Sequence, residues 1–340
     1  MLRLPRFQLR RPSTLEEALA CLAAAGPGGR LLAGGTDLLP NMKHELAAPA
    51  TVIALSAIPE LSGIRRDPDG DLVVGAMTTI AEVAARGEVQ ASAPALAQAA
   101  SLVASPQIRR MGTIGGNVLL DTRCQWYNQT YFWRSAVGFC LKKDGTVCHV
   151  VAGGSRCVAA ASNDTAPALM TLGASLEIAG QRGRRQVPIE QFWTSDGVRH
   201  HRLADGEILV AVRIPKTPAG HRGAYGKLRD RGAIDYPLLG VAVRLDLGRD
   251  GTVERSDVVV TALAAAPRRV TSAEALLRGT RTGTPAFAGQ VDAVADAAFR
   301  QCHPLENIAG DAGWRREMVR VYVRRTLEAA AAGSGPVHHL

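Results

Sequence analysis

Four of the six cysteines in this 340-residue chain lie within one stretch of 34 positions: Cys124, Cys140, Cys148 and Cys157. Six aromatic residues lie among them, although only 4% of the whole chain is aromatic. In a reducing cytosol, clustered cysteines more often bind metal than form disulfides. Zinc usually takes such thiolates from paired CxxC motifs, and none is present. The stretch is therefore predicted to be an inserted metal-binding module, whereas Cys21 and Cys302 are expected to be core residues.

Two glycine-rich loops lie about eighty residues apart, at residues 34–37 (GGTD) and 113–117 (TIGGN). Glycine lets backbone N–H groups approach a phosphate closely, so the pair suits a ligand with two linked phosphates. Neither loop matches GxGxxG with an acidic residue about twenty positions on, and GxxxxGK[ST] is absent. The loops predict a diphosphate site outside the Rossmann class.

Other functional patterns are missing from the sequence. Ser-His-Asp and HExxH patterns are absent, so hydrolytic catalysis is poorly supported. The net charge of +9 comes mainly from scattered arginines, and no nucleic-acid partner is expected. No run of eighteen apolar residues occurs, and the first twelve residues lack an apolar export segment. A cytoplasmic protein without a membrane span is expected.

The elements around these motifs predict an α+β chain. Asp69-Gly70 indicates a hairpin within residues 63–76, and short strands and helices continue to about residue 218. Three strand-like runs and then three helical stretches follow, which is typical of a separate α+β domain. The strand-like runs are residues 223–231, 238–247 and 253–263. The tail after residue 332 is expected to fray, and its His338 and His339 to have no function.

Together these motifs resemble the FAD-binding (medium) subunits of the molybdenum hydroxylase, or xanthine oxidase, family. The resemblance rests on GGTDLLP, TIGGN and the later NDTAPALMTLGA, and it extends over nearly the whole chain. It implies an FAD-binding domain of the vanillyl-alcohol-oxidase type over residues 1–218, with subdomains of about 1–58 and 59–218. An α+β flavoprotein C-terminal domain over residues 222–332 would follow.

The same resemblance implies a set of FAD contacts. The glycine loops would wrap the diphosphate, and Asp164 would bind near the sugar. Leu209 and Lys227 would lie near the isoalloxazine ring, where a cation stabilises the anion formed on reduction. A solvated lysine on a strand is the alternative for Lys227. The full implied set is Leu31, Leu32, Ala33, Gly34, Gly35, Thr36, Asp37, Leu38, Thr113, Ile114, Gly115, Gly116, Asn117, Asp164, Leu209 and Lys227.

The cysteine stretch, about residues 122–161, resembles an insertion found in one branch of the family. It is similar to the insertion that carries a [4Fe–4S] cluster in the flavoprotein subunit of 4-hydroxybenzoyl-CoA reductase. The spacing C-x15-C-x7-C-x8-C implies that all four clustered cysteines ligate that cluster. Lys142 and Lys143 could offset its negative charge.

The resemblance implies an electron-transfer subunit, with substrate chemistry on a partner, because no molybdopterin or plant-type [2Fe–2S] site is visible. The implied complex is a dimer of heterotrimers with a molybdopterin-binding large subunit and a [2Fe–2S] small subunit. A ferredoxin-type donor would supply electrons for reductive dehydroxylation of an aromatic acyl-CoA. Two alternatives stay open: the flavoprotein subunit of a xanthine, aldehyde or CO dehydrogenase-type hydroxylase, and a stand-alone flavin oxidase with a zinc-stapled insertion.

Overall fold

The computed structural model describes residues 2–338, which form three sheets with helices packed on and between them. The strands are β1 Gln8–Arg10, β2 Gly29–Leu32, β3 Thr51–Ala54, β4 Ile64–Arg66, β5 Leu72–Gly75, β6 Ser175–Gly180, β7 Gly183–Pro188, β8 Ile208–Ile214, β9 His221–Leu228, β10 Leu239–Leu247, β11 Val253–Thr261 and β12 Arg268–Arg269. The helices are α1 Leu15–Ala25, α2 Leu38–Lys43, α3 Ile80–Ala85, α4 Gly87–Ser92, α5 Pro94–Ser101, α6 Pro106–Met111, α7 Ile114–Val118, α8 Tyr131–Ala136, α9 Thr165–Thr171, α10 Ala273–Leu277, α11 Pro285–Gln301 and α12 Ala312–Ala332. No helix among these residues is both long and apolar enough to cross a membrane.

The first sheet is small and parallel, with the order β1-β3-β2. Helix α1 begins after Thr14, whose hydroxyl accepts the Glu17 N–H at 3.1 Å, and it buries Leu15, Ala18 and Leu22. Parallel strands present their carboxyl ends at one edge, where ligands commonly bind. The first glycine loop leaves the sheet at that edge, directly after β2.

The second sheet is antiparallel, with the order β4-β5-β8-β6-β7. Strands β4 and β5 form the predicted hairpin, and Gly70 takes the left-handed conformation with φ +88°. Helices α5, α7 and α9 contribute buried alanine, leucine and isoleucine side chains to the same core. The second glycine loop sits at the start of α7 and is fixed by that core.

The third sheet, in the order β12-β11-β10-β9, is the antiparallel meander that the sequence predicts. Val241 and Val243 of β10 pack toward α11 and α12, whereas Ala242 between them joins the core that contains α5 and α9. Alternate residues of a strand point to opposite faces, so β10 is buried on both sides. The meander and its three helices confirm the α+β prediction for this region.

The chain's C-terminal tail adds to the exposed edge of β9. Val337 accepts the Lys227 N–H at 2.8 Å and donates its own N–H to the Tyr225 carbonyl at 3.0 Å. The expectation that the tail frays is therefore wrong as far as Val337, because an unpaired strand edge offers backbone partners to it. His339 lies outside the described residues.

The cysteine stretch leaves and rejoins the fold at one narrow point. Arg123 donates its N–H to the Ala160 carbonyl at 2.8 Å, and Ala160 donates its N–H to the Arg123 carbonyl at 2.7 Å. Between these residues the chain forms α8 and a series of turns around a small core of its own. These two hydrogen bonds hold the ends of the stretch together, so the stretch forms an inserted module.

Candidate functional site

A cavity of about 1130 Å³ lies between the two glycine loops. Thirteen of the sixteen implied FAD contacts line it: Leu31, Ala33, Gly34, Gly35, Thr36, Asp37, Leu38, Thr113, Gly115, Gly116, Asn117, Asp164 and Leu209. The other three, Leu32, Ile114 and Lys227, are not on its wall. The chain also lines it with two segments that sequence reasoning missed, within residues 198–205 and 234–236.

The first glycine loop packs against the end of helix α6, just before the second loop. A Cβ placed on Gly34 would lie 1.7 Å from the Met111 carbonyl oxygen, so only glycine fits at that contact. Its neighbour Gly35 has φ +71°, a conformation that disfavours other residues. Both glycines of the first loop are therefore required by the protein's own packing.

The backbone N–H groups of the second loop donate hydrogen bonds to other groups of the protein. Ile114 donates to the Thr78 carbonyl at 2.9 Å, Gly115 donates to the Ala76 carbonyl at 2.9 Å, and Gly116 donates to Thr113 Oγ1 at 3.1 Å. A Cβ on Gly115 would lie 2.8 Å from both the carbonyl oxygen and the Cβ of Ala76. Glycine is required at this position for contact with the strand end.

The first loop, in contrast, has free donors. The backbone N–H groups of residues 34–37 make no hydrogen bond within the described chain, and all four residues line the cavity. Backbone donors without a protein partner favour an anion or water. The cavity is also larger than the 300–1,000 Å³ typical of small-ligand sites. The residues present therefore fit a long cofactor with a diphosphate, held mainly by the first loop.

Asp164 is a buried carboxylate on the cavity wall. Its Oδ2 accepts a hydrogen bond from Lys227 Nζ at 2.9 Å, and its Oδ1 accepts one from the Tyr225 hydroxyl at 2.9 Å. Burial raises the pKa of Asp164, and the Lys227 ammonium opposes that rise. Lys227 is 0% exposed and also donates to the Leu102 carbonyl at 2.9 Å, so the solvated-lysine alternative is wrong. Lys227 does not line the cavity itself, but its partner Asp164 does.

A second charged group joins the first loop to the cysteine module. The Arg123 guanidinium pairs with the Asp37 carboxylate and bonds the Tyr236 hydroxyl, and it lies 4.3 Å from the Tyr236 ring centroid. Burial raises the pKa of Asp37, and Arg123 opposes it. Arg123 is 86 positions from Asp37 and 113 positions from Tyr236, so no local sequence pattern could have indicated these contacts.

A third charged group links the cysteine cavity to the wall of the large cavity. Lys142 Nζ donates to Asp121 Oδ1 at 2.7 Å and to the Gly197 carbonyl at 2.9 Å. His200 Nδ1 is 3.6 Å from the same Asp121 oxygen, and burial lowers the pKa of His200 to about 4. The side chain of Lys143 pairs with Asp144, and the residue lines the large cavity, although its backbone N–H donates to the Cys140 carbonyl at 2.9 Å.

The four clustered cysteines line one small cavity of about 20 Å³, inside the inserted module. Cys124, Cys140 and Cys157 are buried, Cys148 is half-buried, and all four thiols are free. Burial, and more weakly the other three thiols, raises the pKa of Cys124 to about 11. The structure thus brings together the four residues that the spacing singled out. Cys302 lies elsewhere in a helical core, as expected, and Cys21 is half-buried against another core.

Across residues 2–338, no group of three or more His, Cys, Asp or Glu side chains is arranged to hold a single metal ion. The structure therefore brings the four cysteines to one cavity, and it shows no metal site among the described residues.

Comparison with known proteins matches both parts of the chain. Residues 5–217 match the family described as the FAD binding domain in molybdopterin dehydrogenase, and residues 223–330 match the CO dehydrogenase flavoprotein C-terminal domain. The predicted architecture of an FAD-binding domain followed by a flavoprotein C-terminal domain is confirmed.

Individual relatives agree over the full length. The chain is 33% identical over 329 residues to the carbon monoxide dehydrogenase medium chain of Hydrogenophaga pseudoflava, covering 96% of this chain and 98% of that one. It is 28% identical over 326 residues to the xanthine dehydrogenase FAD-binding subunit of Escherichia coli O157:H7, covering 96% of each. A solved chain of carbon monoxide dehydrogenase from Hydrogenophaga pseudoflava has a TM-score of 0.80 at 32% identity, covering 98% of this chain and 100% of that chain.

Proposed function

Because the chain belongs to the family of FAD-binding medium subunits of the molybdenum hydroxylases, we propose that it carries electrons between FAD in the large cavity and partner subunits. The proposed partners are a molybdopterin-binding large subunit and a [2Fe–2S] small subunit, assembled as a dimer of heterotrimers. Substrate chemistry then takes place on the large subunit. The free N–H groups of residues 34–37, facing the cavity, are the single observation that carries the cofactor assignment.

The residues of this chain have distinct parts in holding FAD, which supplies two-electron exchange when bound. The first loop donates backbone N–H groups to the diphosphate, and Arg123 neutralises the Asp37 carboxylate beside that loop. Ile208 and Leu209 give the wall an apolar segment that excludes water. Lys227 holds Asp164 as a hydrogen-bond acceptor at the cavity.

We further propose that the inserted module, about residues 122–161, holds a [4Fe–4S] cluster on its four cysteines. The module belongs to an FAD-binding domain of residues 1–218, and the C-terminal domain spans residues 222–332. The proposal is supported by the convergence of four free thiols on one cavity and by the aromatic residues Trp126 and Tyr127 in its lining. Such a cluster passes one electron at a time. A reducing cytoplasm is the proposed location, since it keeps these thiols available.

The relatives favour an oxidative complex as the first candidate for the substrate class, because those named above are carbon monoxide and xanthine dehydrogenases. One observation favours a second candidate, the reductive dehydroxylation of an aromatic acyl-CoA with a ferredoxin-type donor. That observation is the cysteine module, which resembles the insertion of 4-hydroxybenzoyl-CoA reductase. A stand-alone oxidase with a zinc staple is disfavoured, since the relatives named above are a medium chain and an FAD-binding subunit.

The test is metal and flavin analysis of the native complex, purified anaerobically. The expected result is one FAD per copy of this chain and about four irons beyond those of the [2Fe–2S] partner. Cys140→Ser is expected to lose those four irons and keep FAD, whereas Cys302→Ser keeps both. Zinc without iron, or unchanged iron in Cys140→Ser, would contradict the cluster, and a monomeric chain without partners would contradict the assembly.

Substrate class is decided by a separate assay of the same complex. Carbon monoxide, a purine and an aldehyde are offered with an artificial electron acceptor, and an aromatic acyl-CoA is offered with a low-potential reductant. Turnover of the first group supports the oxidative candidate, and turnover of the acyl-CoA alone supports the reductive one.

A further inference from the structure

The large cavity and the cysteine cavity meet at one side chain. Tyr127 lines both of them, and no other residue within 2–338 does so. Tyr127 is 7% exposed, and its N–H donates to the Cys124 carbonyl at 3.0 Å. The ring is therefore attached within one turn to a cysteine of the module, and it forms the common wall of the two cavities.

Polar groups on both sides hold this ring in place. Lys142 Nζ lies 4.5 Å from the ring centroid, within the range of a cation–π contact. That ammonium is itself fixed by Asp121, at 2.7 Å, and by the backbone of the neighbouring segments. Burial, and then the nearby Asp121 carboxylate, raises the pKa of the Tyr127 hydroxyl. With a fixed cation over its face and its hydroxyl toward a fixed anion, the ring has little freedom to swing aside.

The network around Tyr127 is continuous from one cavity to the other. Lys142 lines the cysteine cavity, whereas Asp121 and His200 line the large one. Lys142 donates a hydrogen bond to Asp121, and His200 Nδ1 lies 3.6 Å from the same carboxylate oxygen. The region between the cavities is thus closely packed protein.

We propose that Tyr127 is the positioning residue between the two redox groups: its ring separates the cysteine-bound cluster from the flavin and provides the direct protein route between them. The inference rests on the proposed function. With both groups bound, a low-potential one-electron reductant would supply the cluster side, and FAD would be the acceptor on the other side. Two single-electron transfers are needed for each pair that FAD takes up. Tyr127 itself ends each transfer unchanged, because it serves as packed medium and not as a carrier.

The wall also has a protective role that can be measured without turnover. If Tyr127 closes the cysteine cavity, its removal joins the two cavities and lets solutes reach the cluster from the flavin side. In full-length protein stripped of FAD, we expect bathophenanthroline to remove iron at least tenfold faster from Tyr127→Ala than from wild type. Restoring FAD should reduce that difference, because the cofactor fills the large cavity.

The second readout is the rate of electron equilibration between cluster and flavin after flash photoreduction of the complex. Tyr127→Ala is expected to slow it at least tenfold, whereas Tyr127→Phe, which keeps the ring, stays within about twofold of wild type. Tyr127→Leu replaces the ring with an apolar side chain, and it is measured instead if the alanine variant does not retain iron. Phe132→Ala is the matched control, because Phe132 lies in the same module, is 82% exposed and lines neither cavity.

Three possible results would each overturn a different claim. Iron and FAD retained in the Ala or Leu variant, with both rates unchanged, overturns the role of Tyr127 and leaves the proposed function intact. A Phe variant as slow as the Ala variant overturns the ring as the route. Wild-type protein without iron overturns the cluster itself, and this inference with it.

Discussion

The Nζ atom of Lys227 lies 2.9 Å from Oδ2 of Asp164 in an interior closed to solvent. The pair joins strand β9 of the C-terminal sheet to the residue before helix α9, on the wall of the large cavity. Each charge offsets part of the cost of burying the other, and an unpaired ion in the interior is strongly unfavourable. The FAD-binding region and the C-terminal region are therefore connected at the site itself.

Breaking that pair should destabilise the protein. Lys227→Met leaves Asp164 with only the Tyr225 hydroxyl as a partner, and removal of one partner of a buried pair typically costs about 3–5 kcal/mol. We expect a loss of that size in urea unfolding. The double variant Lys227→Met/Asp164→Leu should lose less than Lys227→Met alone, and the exposed Lys216→Met should be neutral. Equal stability of Lys227→Met and wild type would show that the pair contributes nothing.

The glycines of the second loop should differ from each other. A Cβ on Gly115 would collide with Ala76, whereas a Cβ on Gly116 would meet only Thr113 Oγ1, at 3.1 Å. Gly115→Ala is expected to cost about 1–3 kcal/mol by overpacking, even without FAD, and to lower FAD content. Gly116→Ala should be milder. Urea unfolding of the flavin-free variants checks this, and equal effects of the two substitutions would argue against the Ala76 contact as the cause.

Arg123 should strengthen FAD binding through Asp37. Arg123→Met leaves the half-buried Asp37 carboxylate with Asn41 but without its cation, beside the loop that is proposed to hold the diphosphate, and like charges repel. We expect the Kd for FAD to rise about tenfold, or about 1.4 kcal/mol. Arg123→Met/Asp37→Asn should recover most of that affinity, and Tyr236→Phe should change it little. Fluorescence titration of flavin-free protein measures all three, and a double variant no better than Arg123→Met would refute the electrostatic explanation.

His200 should make the protein less stable in mild acid. Burial lowers its pKa from 6.5 to about 4. As the pH falls below about 6.5, the unfolded chain binds a proton that the folded chain does not bind until near pH 4, so stability falls across that window. The loss attributable to His200 is at most about 3 kcal/mol. His200→Asn should lose less between pH 7 and pH 4.5 in urea unfolding, and a parallel decline in both proteins would assign the effect to other groups.

The sequence alone determined the local elements and the residue types of the site. Alternating apolar residues and turn residues indicated the β4–β5 hairpin and the meander of the third sheet, because those signals act over a few positions. The spacing of the cysteines likewise identified the four that converge. These features depend on neighbours in the chain, and they can be recognised without knowing how distant segments pack.

Only the tertiary structure decided which of these residues face each other. Lys227 is buried because helices cover both faces of its sheet, a property that no strand pattern reports for one lysine. The backbone N–H groups of the second loop donate hydrogen bonds to Ala76, Thr78 and Thr113, so the two glycine loops are not equivalent. Tyr127 lies between two cavities because segments far apart in sequence pack around it. Such contacts depend on the burial of long-range surfaces, and for that reason they could not be deduced from composition or spacing.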